Sequence, residues 1–273
     1  MKKINLHSHT NFCDGKNTTE EMVLAAIDHN FDVFGFSGHS YTNFDESYCM
    51  SLDDTLTYRE DVKMLADKYR SQIKILCGVE QDYFSNQPTD YYDYVIGSVH
   101  AFYNKNFDKY VYVDYGADSL VADCENLYGG NSLALAKDYF STVSDVHNRT
   151  NCNIIGHFDL LTKFNEQVHM FDESHPEYVA AVDNALERLL PSGAIFEINT
   201  GAMSKGYRST PYPSESILRK IHKGGGKIIL SSDTHSVDTV DFAFDDALRL
   251  AQLCGFETIM SIDDMGNFVE ARI

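Results

Sequence analysis

Histidine and carboxylate side chains stand where the short apolar runs of this chain end. The first run ends in LHSH, which places His7 and His9 two residues apart. Alternate residues of a strand point to the same side, so both imidazoles could bind one ion while Ser8 faces away. The residues at such ends are His7, His9, His39, Glu80, His100, His157, Asp233 and His235. Imidazole and carboxylate groups suit zinc, manganese and iron, so these residue types predict a metal centre.

The number of these groups bears on how many ions they bind. A single histidine at a strand end is more often a hydrogen-bonded side chain than a metal ligand. Six histidines and two carboxylates at the ends of six runs are different, because parallel strands bring their carboxyl ends to one mouth. These groups exceed what one tetrahedral ion needs, so we expect two or three divalent ions with a carboxylate as a bridge.

The elements that must position these side chains alternate between strand and helix. Strands are predicted at residues 2–8, 31–38, 73–81, 92–99, 152–158, 194–200 and 226–232, with a weaker eighth at 258–262. Helices are predicted at residues 18–30, 53–70, 133–148, 176–190, 214–223 and 239–253. Because no linker, repeat or low-complexity stretch interrupts them, residues 1–273 are expected to form one barrel-like or doubly wound domain.

Residues 101–132 interrupt this alternation. They are rich in tyrosine, phenylalanine and aspartate, and they lie between a predicted strand and the next helix. Long loops after the strands of a β/α barrel lie on the face that carries the active site. We therefore expect an inserted loop near the mouth, which is either a lid or substrate wall or a surface excursion with no role in binding.

The composition limits the classes of partner. The 273 residues include 41 acidic and 22 basic side chains, which gives a formal net charge of -19. Such a field repels phosphate backbones, so nucleic-acid binding is not expected, and an anionic substrate needs local positive charge. The six cysteines form no CxxC pair, which favours reduced thiols in the cytoplasm. No long apolar run predicts a membrane span, and the oligomeric state is left open.

The order and spacing of the motifs resemble those of the PHP superfamily, the polymerase and histidinol phosphatase superfamily. The matching segments are HSHT, GHS, GVEQD, IGSVH, IGHFD, INTGA and SSDTH, which together span nearly the whole chain. Within the superfamily, HSHTNFCDG, DYVIGSVH and IGHFDLLTKF look most like the monofunctional L-histidinol phosphate phosphatases of histidine biosynthesis. The resemblance implies a distorted (β/α)7 barrel with a trinuclear metal site at the carboxyl ends of the strands.

The resemblance also implies how the ligands are shared. One ion would be bound by His7, His9, Glu80 and Asp233, a second by the bridging Glu80 with His100 and His157, and a third by His39 and His235. In many relatives the third ion takes a further histidine from the loop after HSHT, but this chain has Gly15 at that position. We expect Asp14 to replace it as an oxygen ligand, and the alternative is a weak third site.

The reaction that the resemblance implies is hydrolysis of L-histidinol phosphate to L-histidinol and phosphate. Two divalent ions lower the pKa of a shared water and offset phosphoryl charge, which suits attack of hydroxide on phosphorus. Asp233 and His235 are candidates to transfer a proton to the leaving group, although a residue that binds metal is a poor acid. Lys163 and Arg208 are candidates to bind phosphate, with solvated loop charges as the alternative. Asp82 and the aromatic segment could bind the imidazole and ammonium groups.

Other activities are compatible with the same ligands. A related enzyme could act on another small phosphomonoester, on phosphotyrosine or on nucleic-acid ends, although the net charge of -19 disfavours the last. A metal-stabilised binding module without turnover would more typically have a closed site with cysteine ligands. Comparison of histidinol phosphate with a phosphodiester as substrate discriminates between these activities.

Overall fold

Seven parallel strands form a nearly closed barrel in the computed structural model, which describes residues 1–273. The strands are β1 (Ile4–Asn5), β2 (Val33–Phe36), β3 (Lys74–Asp82), β4 (Tyr94–Ser98), β5 (Ala101–Asn104), β6 (Lys109–Tyr112), β7 (Ile154–Ile155), β8 (Ile195–Asn199), β9 (Lys227–Ser231), β10 (Thr258–Ile262) and β11 (Phe268–Arg272). The barrel has the order β1-β2-β3-β4-β7-β8-β9. This architecture confirms the expected (β/α)7 barrel.

Helices connect successive strands of the barrel. They are α1 (Thr19–Asp28), α2 (Leu52–Tyr69), α3 (Ala117–Tyr128), α4 (Ser132–Val143), α5 (Val146–Thr150), α6 (Asn165–Val168), α7 (Pro176–Leu189), α8 (Gly201–Ser204), α9 (Glu215–Lys223) and α10 (Phe244–Leu253). α1 begins with a capping box, in which the Thr18 and Glu21 side chains each accept a bond from the other's backbone N–H. The predicted helix 133–148 is instead two helices, α4 and α5. None of the helices has both the length and the apolar character needed to cross a membrane.

The barrel closes between its first and last strands through residues that lie beyond both. Ser8 and Thr234 form an isolated parallel bridge. The backbone N–H of His9 donates to the carbonyl oxygen of Thr234 at 2.8 Å, and the N–H of Thr234 donates to the carbonyl oxygen of His7 at 3.3 Å. The closure therefore lies at the carboxyl ends of the strands, among the predicted metal ligands.

Two clusters of apolar side chains support the barrel. One contains Leu6 and Ile96, and a larger one fills the space between the strands and the helices. Residues 258–262, predicted as a weak eighth strand, form β10, which pairs antiparallel with β11 in a separate two-stranded sheet. Met260 and Ile262 belong to the same cluster as Leu6. β10 therefore contributes to the core without joining the barrel.

Residues 101–132, expected as an inserted loop, form regular structure over much of their length. β5 and β6 pair as an antiparallel hairpin, and α3 follows. Phe102 and Val111 are fully buried, so the hairpin contributes to the core. α3 ends at Gly129, whose φ of 60° is a left-handed conformation that glycine adopts without strain. The insertion is therefore a hairpin and a helix rather than a loop.

Candidate metal centre

A cleft of about 290 Å³ opens at the carboxyl ends of the barrel strands. The residues predicted as metal ligands all lie in or beneath this cleft, and they are His7, His9, Asp14, His39, Glu80, His100, His157, Asp233 and His235. Their ligand atoms fall into four overlapping groups, and the atoms of each group lie within 4.8 Å of one another. The fold thus brings together side chains that are distant in the sequence.

The innermost group surrounds one oxygen of Glu80. Glu80 Oε2 lies 3.2 Å from His7 Nε2 and 3.5 Å from His9 Nε2. Asp233 Oδ1 lies 3.6 Å from His7 Nε2 and 3.2 Å from His9 Nε2. Ligands about 2.1 Å from a tetrahedral ion lie about 3.4 Å from one another. The ligand atoms of His7, His9 and Asp233 lie within 4.8 Å of one another and could hold one ion, and Glu80 Oε2 lies close to both histidines. These four residues are the set expected to share the first ion.

The other oxygen of Glu80 faces two further histidines. Glu80 Oε1 lies 3.3 Å from His100 Nε2 and 2.9 Å from His157 Nε2. The two oxygens of one carboxylate therefore face different sets of imidazole nitrogens. This arrangement suits a carboxylate that bridges two ions.

The outer group is built around Asp14. Asp14 Oδ2 lies 3.1 Å from His235 Nε2, and Oδ1 lies 3.6 Å from both His39 Nε2 and His9 Nδ1. A Cβ built on Gly15 would lie 2.5 Å from a backbone nitrogen, so this backbone leaves no room for a side chain at position 15. Asp14 is therefore the side chain of this turn that faces His9, His39 and His235, as expected for a replacement oxygen ligand.

Buried polar atoms without a hydrogen-bond partner fit a metal site. They include His7 Nε2, His9 Nε2 and Glu80 Oε2. Burial, together with His235 and His39 nearby, lowers the pKa of His9 to about 3, so its imidazole is neutral, as metal binding requires. Burial opposes ionisation of Glu80, but His39 and His7 hold the pKa of its carboxyl well below the ordinary value. Burial opposes protonation of His39, but the Glu80 and Asp14 carboxylates raise its pKa to about 9, so an ion that binds this imidazole must displace a proton. Neutral imidazole and ionised carboxylate are the donors that zinc, manganese or iron needs.

The three residues predicted to bind substrate lie in different environments. Lys163 lines the cleft, and its Nζ donates to a backbone carbonyl oxygen at 3.1 Å. Arg208 is only 8% exposed, and its Cζ lies 4.8 Å from the centroid of the Tyr212 ring. Asp82 is also buried, with Oδ2 3.2 Å from His100 Nδ1. The geometry supports phosphate contact for Lys163, whereas Arg208 and Asp82 contact neighbouring side chains behind the cleft.

Sequence reasoning missed two charged residues of the site. Lys205 lines the cleft, and its Nζ lies 3.3 Å from His235 Nδ1. Glu197 is buried behind His7, with Oε1 2.6 Å from His7 Nδ1. Glu197 could have been identified from the sequence, because a charged residue in the middle of a buried apolar strand needs a buried partner. Lys205 carries no such signal, because most lysines in loops are solvated.

The chain is similar over most of its length to two curated proteins. A probable histidinol-phosphatase of Schizosaccharomyces pombe is 26% identical over 282 residues, which cover 95% of this chain and 89% of that protein. The histidinol-phosphatase of Bacillus subtilis is 24% identical over 268 residues, which cover 90% of this chain and 98% of that protein.

Two solved structures share the fold. A structural genomics target from Listeria monocytogenes has a TM-score of 0.79 and 22% identity, and the match covers 89% of this chain and 99% of that chain. The histidinol phosphate phosphatase of Lactococcus lactis, complexed with zinc, L-histidinol and phosphate, has a TM-score of 0.73 and 20% identity, covering 98% of this chain and 99% of that chain. The family described as PHP domain matches residues 5–201. The chain therefore belongs to the PHP domain family.

Proposed function

We propose that this protein hydrolyses L-histidinol phosphate to L-histidinol and phosphate, with two or three divalent ions of zinc, manganese or iron at the metal centre. The main support for the proposal is the lining of the cleft, which combines the predicted metal ligands with two lysines and with acidic and aromatic side chains. Two relatives of similar length are named probable histidinol-phosphatase and histidinol-phosphatase. The structure from Lactococcus lactis holds zinc, L-histidinol and phosphate, which supports the same substrate here.

The phosphate end of the substrate would lie over the metal centre. Divalent ions bound there would lower the pKa of a coordinated water and offset the charge of the phosphoryl oxygens. Lys163 and Lys205 line the same cleft, and their ammonium groups would donate hydrogen bonds to the remaining oxygens. These local cations matter because the net charge of -19 otherwise repels a phosphate monoester.

Asp233 and His235 are proposed to direct proton transfer to the leaving group. His235 Nδ1 lies 3.0 Å from the carbonyl oxygen of Asp233 and 3.3 Å from Lys205 Nζ. If His235 Nε2 held an ion, its Nδ1–H would donate to that carbonyl oxygen. Neither Asp233 nor His235 would then be a good acid, whereas the Lys205 ammonium group beside them is a further donor in the cleft. We therefore add Lys205 to the pair as the proton donor to the leaving oxygen.

The other wall of the cleft suits the organic part of the substrate. Its acidic and aromatic residues are Asp45, Asp114, Tyr48, Tyr112 and Tyr115. The ammonium group of histidinol would pair with the carboxylates, and the imidazole would lie against the aromatic rings. Asp114 Oδ2 lies 3.7 Å from Lys163 Nζ. The acidic side of the cleft is therefore adjacent to one of the lysines proposed to bind phosphate.

A steady-state comparison of phosphate esters tests the proposal. The metal-loaded protein would be assayed with histidinol phosphate, phosphotyrosine, p-nitrophenyl phosphate and bis(p-nitrophenyl) phosphate. We expect kcat/KM for histidinol phosphate to exceed each of the others by at least about tenfold. A smaller lead would leave the substrate assignment without support, and faster turnover of the diester would overturn it. Chelator-treated protein is the control, since its activity should disappear and return with added metal.

The cytoplasmic location stays a prediction from the sequence. All six cysteines are free thiols, which is compatible with a reducing compartment. Cell fractionation with immunodetection of the protein would test the prediction.

A further inference from the structure

A carboxylate outside the predicted ligand set lies directly behind the metal centre. Glu197 is in the middle of β8, and it is 1% exposed. Its Oε1 accepts a hydrogen bond from His7 Nδ1 at 2.6 Å, and its Oε2 accepts one from the backbone N–H of His157 at 2.9 Å. One buried carboxylate therefore holds two predicted metal ligands that come from different parts of the chain.

Asn199 extends this contact to a third ligand. Its Nδ2 donates to Glu197 Oε2 at 2.9 Å and to Asp233 Oδ2 at 3.1 Å, while its Oδ1 accepts from the backbone N–H of Gly201 at 2.8 Å. Asn199 and Glu197 are alternate residues of one strand, so both side chains point to the same side of β8. Together they connect the ligands His7, His157 and Asp233.

The bond to His7 also determines which ring nitrogen is free. With Nδ1–H donated to Glu197, the lone pair of His7 Nε2 points towards Glu80 Oε2, which lies 3.2 Å away. A carboxylate that accepts from a ligating histidine fixes its tautomer and ring orientation and raises its basicity. The contact thus prepares His7 for metal binding.

We propose that Glu197 is a positioning residue that sets the metal affinity of the inner part of the centre, through His7, His157 and, by way of Asn199, Asp233. The inference rests on the metal-binding part of the proposed function and not on the identity of the substrate. Glu197 acts on the ligands and contacts neither substrate nor the reacting atoms.

The substitution Glu197→Gln tests this role with little change in volume. An amide has one acceptor oxygen, so its NH2 group must face either His7 Nδ1–H or the donors of His157 and Asn199. At least one donor then loses its acceptor. The protein would be stripped with a chelator and titrated with Zn²⁺ in competition with a chromophoric chelator, without substrate. We expect zinc affinity at the tightest sites to fall by about 10- to 100-fold.

Two further variants separate positioning from general loss of stability. Asp159→Asn alters another fully buried carboxyl group, whose Oδ2 accepts from the backbone N–H of Ser214 rather than from a predicted ligand. It should leave zinc affinity unchanged within about twofold, even if it lowers Tm. Asn199→Ala removes the bonds to Asp233, Glu197 Oε2 and the Gly201 N–H. It leaves the contacts of Glu197 with His7 and His157, so it should weaken zinc binding less than Glu197→Gln does. This second variant also tests the proposal if Glu197→Gln fails to fold.

Wild-type zinc affinity and stoichiometry in folded Glu197→Gln, or in Asn199→Ala when the first does not fold, would overturn the proposal. An equal loss of affinity in Asp159→Asn would also overturn it, since the effect would then not be specific to the ligand contacts. Weaker zinc binding in Glu197→Gln, combined with a wild-type protein that does not hydrolyse histidinol phosphate, would support the positioning role and reject the proposed function.

Discussion

The two halves of the metal centre differ in burial and in the backbone that carries them. In the inner half, the side chains of His7, His9 and Glu80 have no exposed surface, while the Asp233 side chain is 16% exposed at the rim. In the outer half, 34% of the Asp14 side chain and 14% of the His235 side chain are exposed. Glu80 belongs to a strand, whereas Asp14 lies in the turn that follows β1. Because charges interact more strongly where water is excluded, we expect the inner half to bind ions more tightly than the outer half.

The largest effect is expected from removal of the carboxylate that the inner groups share. Glu80→Ala deletes the oxygens that face His7 and His100, so the ions on both sides lose a ligand. We expect kcat to fall by several orders of magnitude, together with a loss of bound metal measured by elemental analysis. His9→Ala should behave in the same way. Near-normal turnover in either variant, with a wild-type circular dichroism spectrum, would contradict the inner assignment.

A smaller effect is expected in the outer half. Asp14→Ala removes the only carboxylate of the group formed with His9, His39 and His235, so the third ion should be lost while the inner ions stay. His39 keeps its contact with Glu80, since His39 Nδ1 lies 2.9 Å from Glu80 Oε2. Loss of one ion that offsets phosphoryl charge corresponds to about 4 kcal/mol, or about 10³-fold in kcat/KM. Metal analysis should show one ion fewer than in the wild type. A loss of all metal would show instead that the two halves are interdependent.

Substitution of Lys163, one of the two lysines in the cleft wall, tests whether this wall binds substrate. Lys163→Ala removes an ammonium group that no metal ligand contacts, so metal content should be unchanged while kcat/KM for histidinol phosphate falls by about 10²-fold. Lys163→Arg keeps the charge and should recover part of the activity. Steady-state kinetics with parallel metal analysis measures both effects. Equal activity of the alanine variant and the wild type would remove Lys163 from the site.

The smallest effect is expected at the periphery of the inner half. Asp82→Asn weakens the contact with His100 Nδ1 without removing a ligand of any ion. We expect about a tenfold decrease in metal affinity, and activity close to that of the wild type once metal is saturating. Titration of activity with metal measures this shift. A decrease in kcat that excess metal does not restore would indicate that Asp82 acts on the substrate, as the sequence suggested.

The metal ligands could be predicted because their residue types coincide with the ends of apolar runs. Glu80 lies near the carboxyl end of β3 and His157 follows β7, and the topology of a parallel barrel brings such positions together. The hairpin of residues 101–132 could not be predicted in this way, because it depends on distant contacts. The Phe44 ring, for example, stacks on Tyr110 with ring centroids 4.6 Å apart.

Arg208 shows a second limit of the sequence. A loop position after a strand is compatible with either phosphate contact or burial, and packing against Tyr212 decides between them. Lys205 lies three residues before it in the same connection yet lines the cleft. The direction of a loop side chain is thus set by tertiary contacts that spacing alone does not encode.

The bridge between Ser8 and Thr234 has a consequence for how the chain folds. It joins the first and last strands of the barrel, so it can form only after the intervening units have assembled, and contacts of such long sequence separation form slowly. An ion held by His7, His9 and Asp233 would span this bridge. Metal uptake would therefore follow assembly of the barrel and stabilise the contact between its first and last strands. The unfolding rate of the finished protein would then depend on how much metal it acquired during biosynthesis.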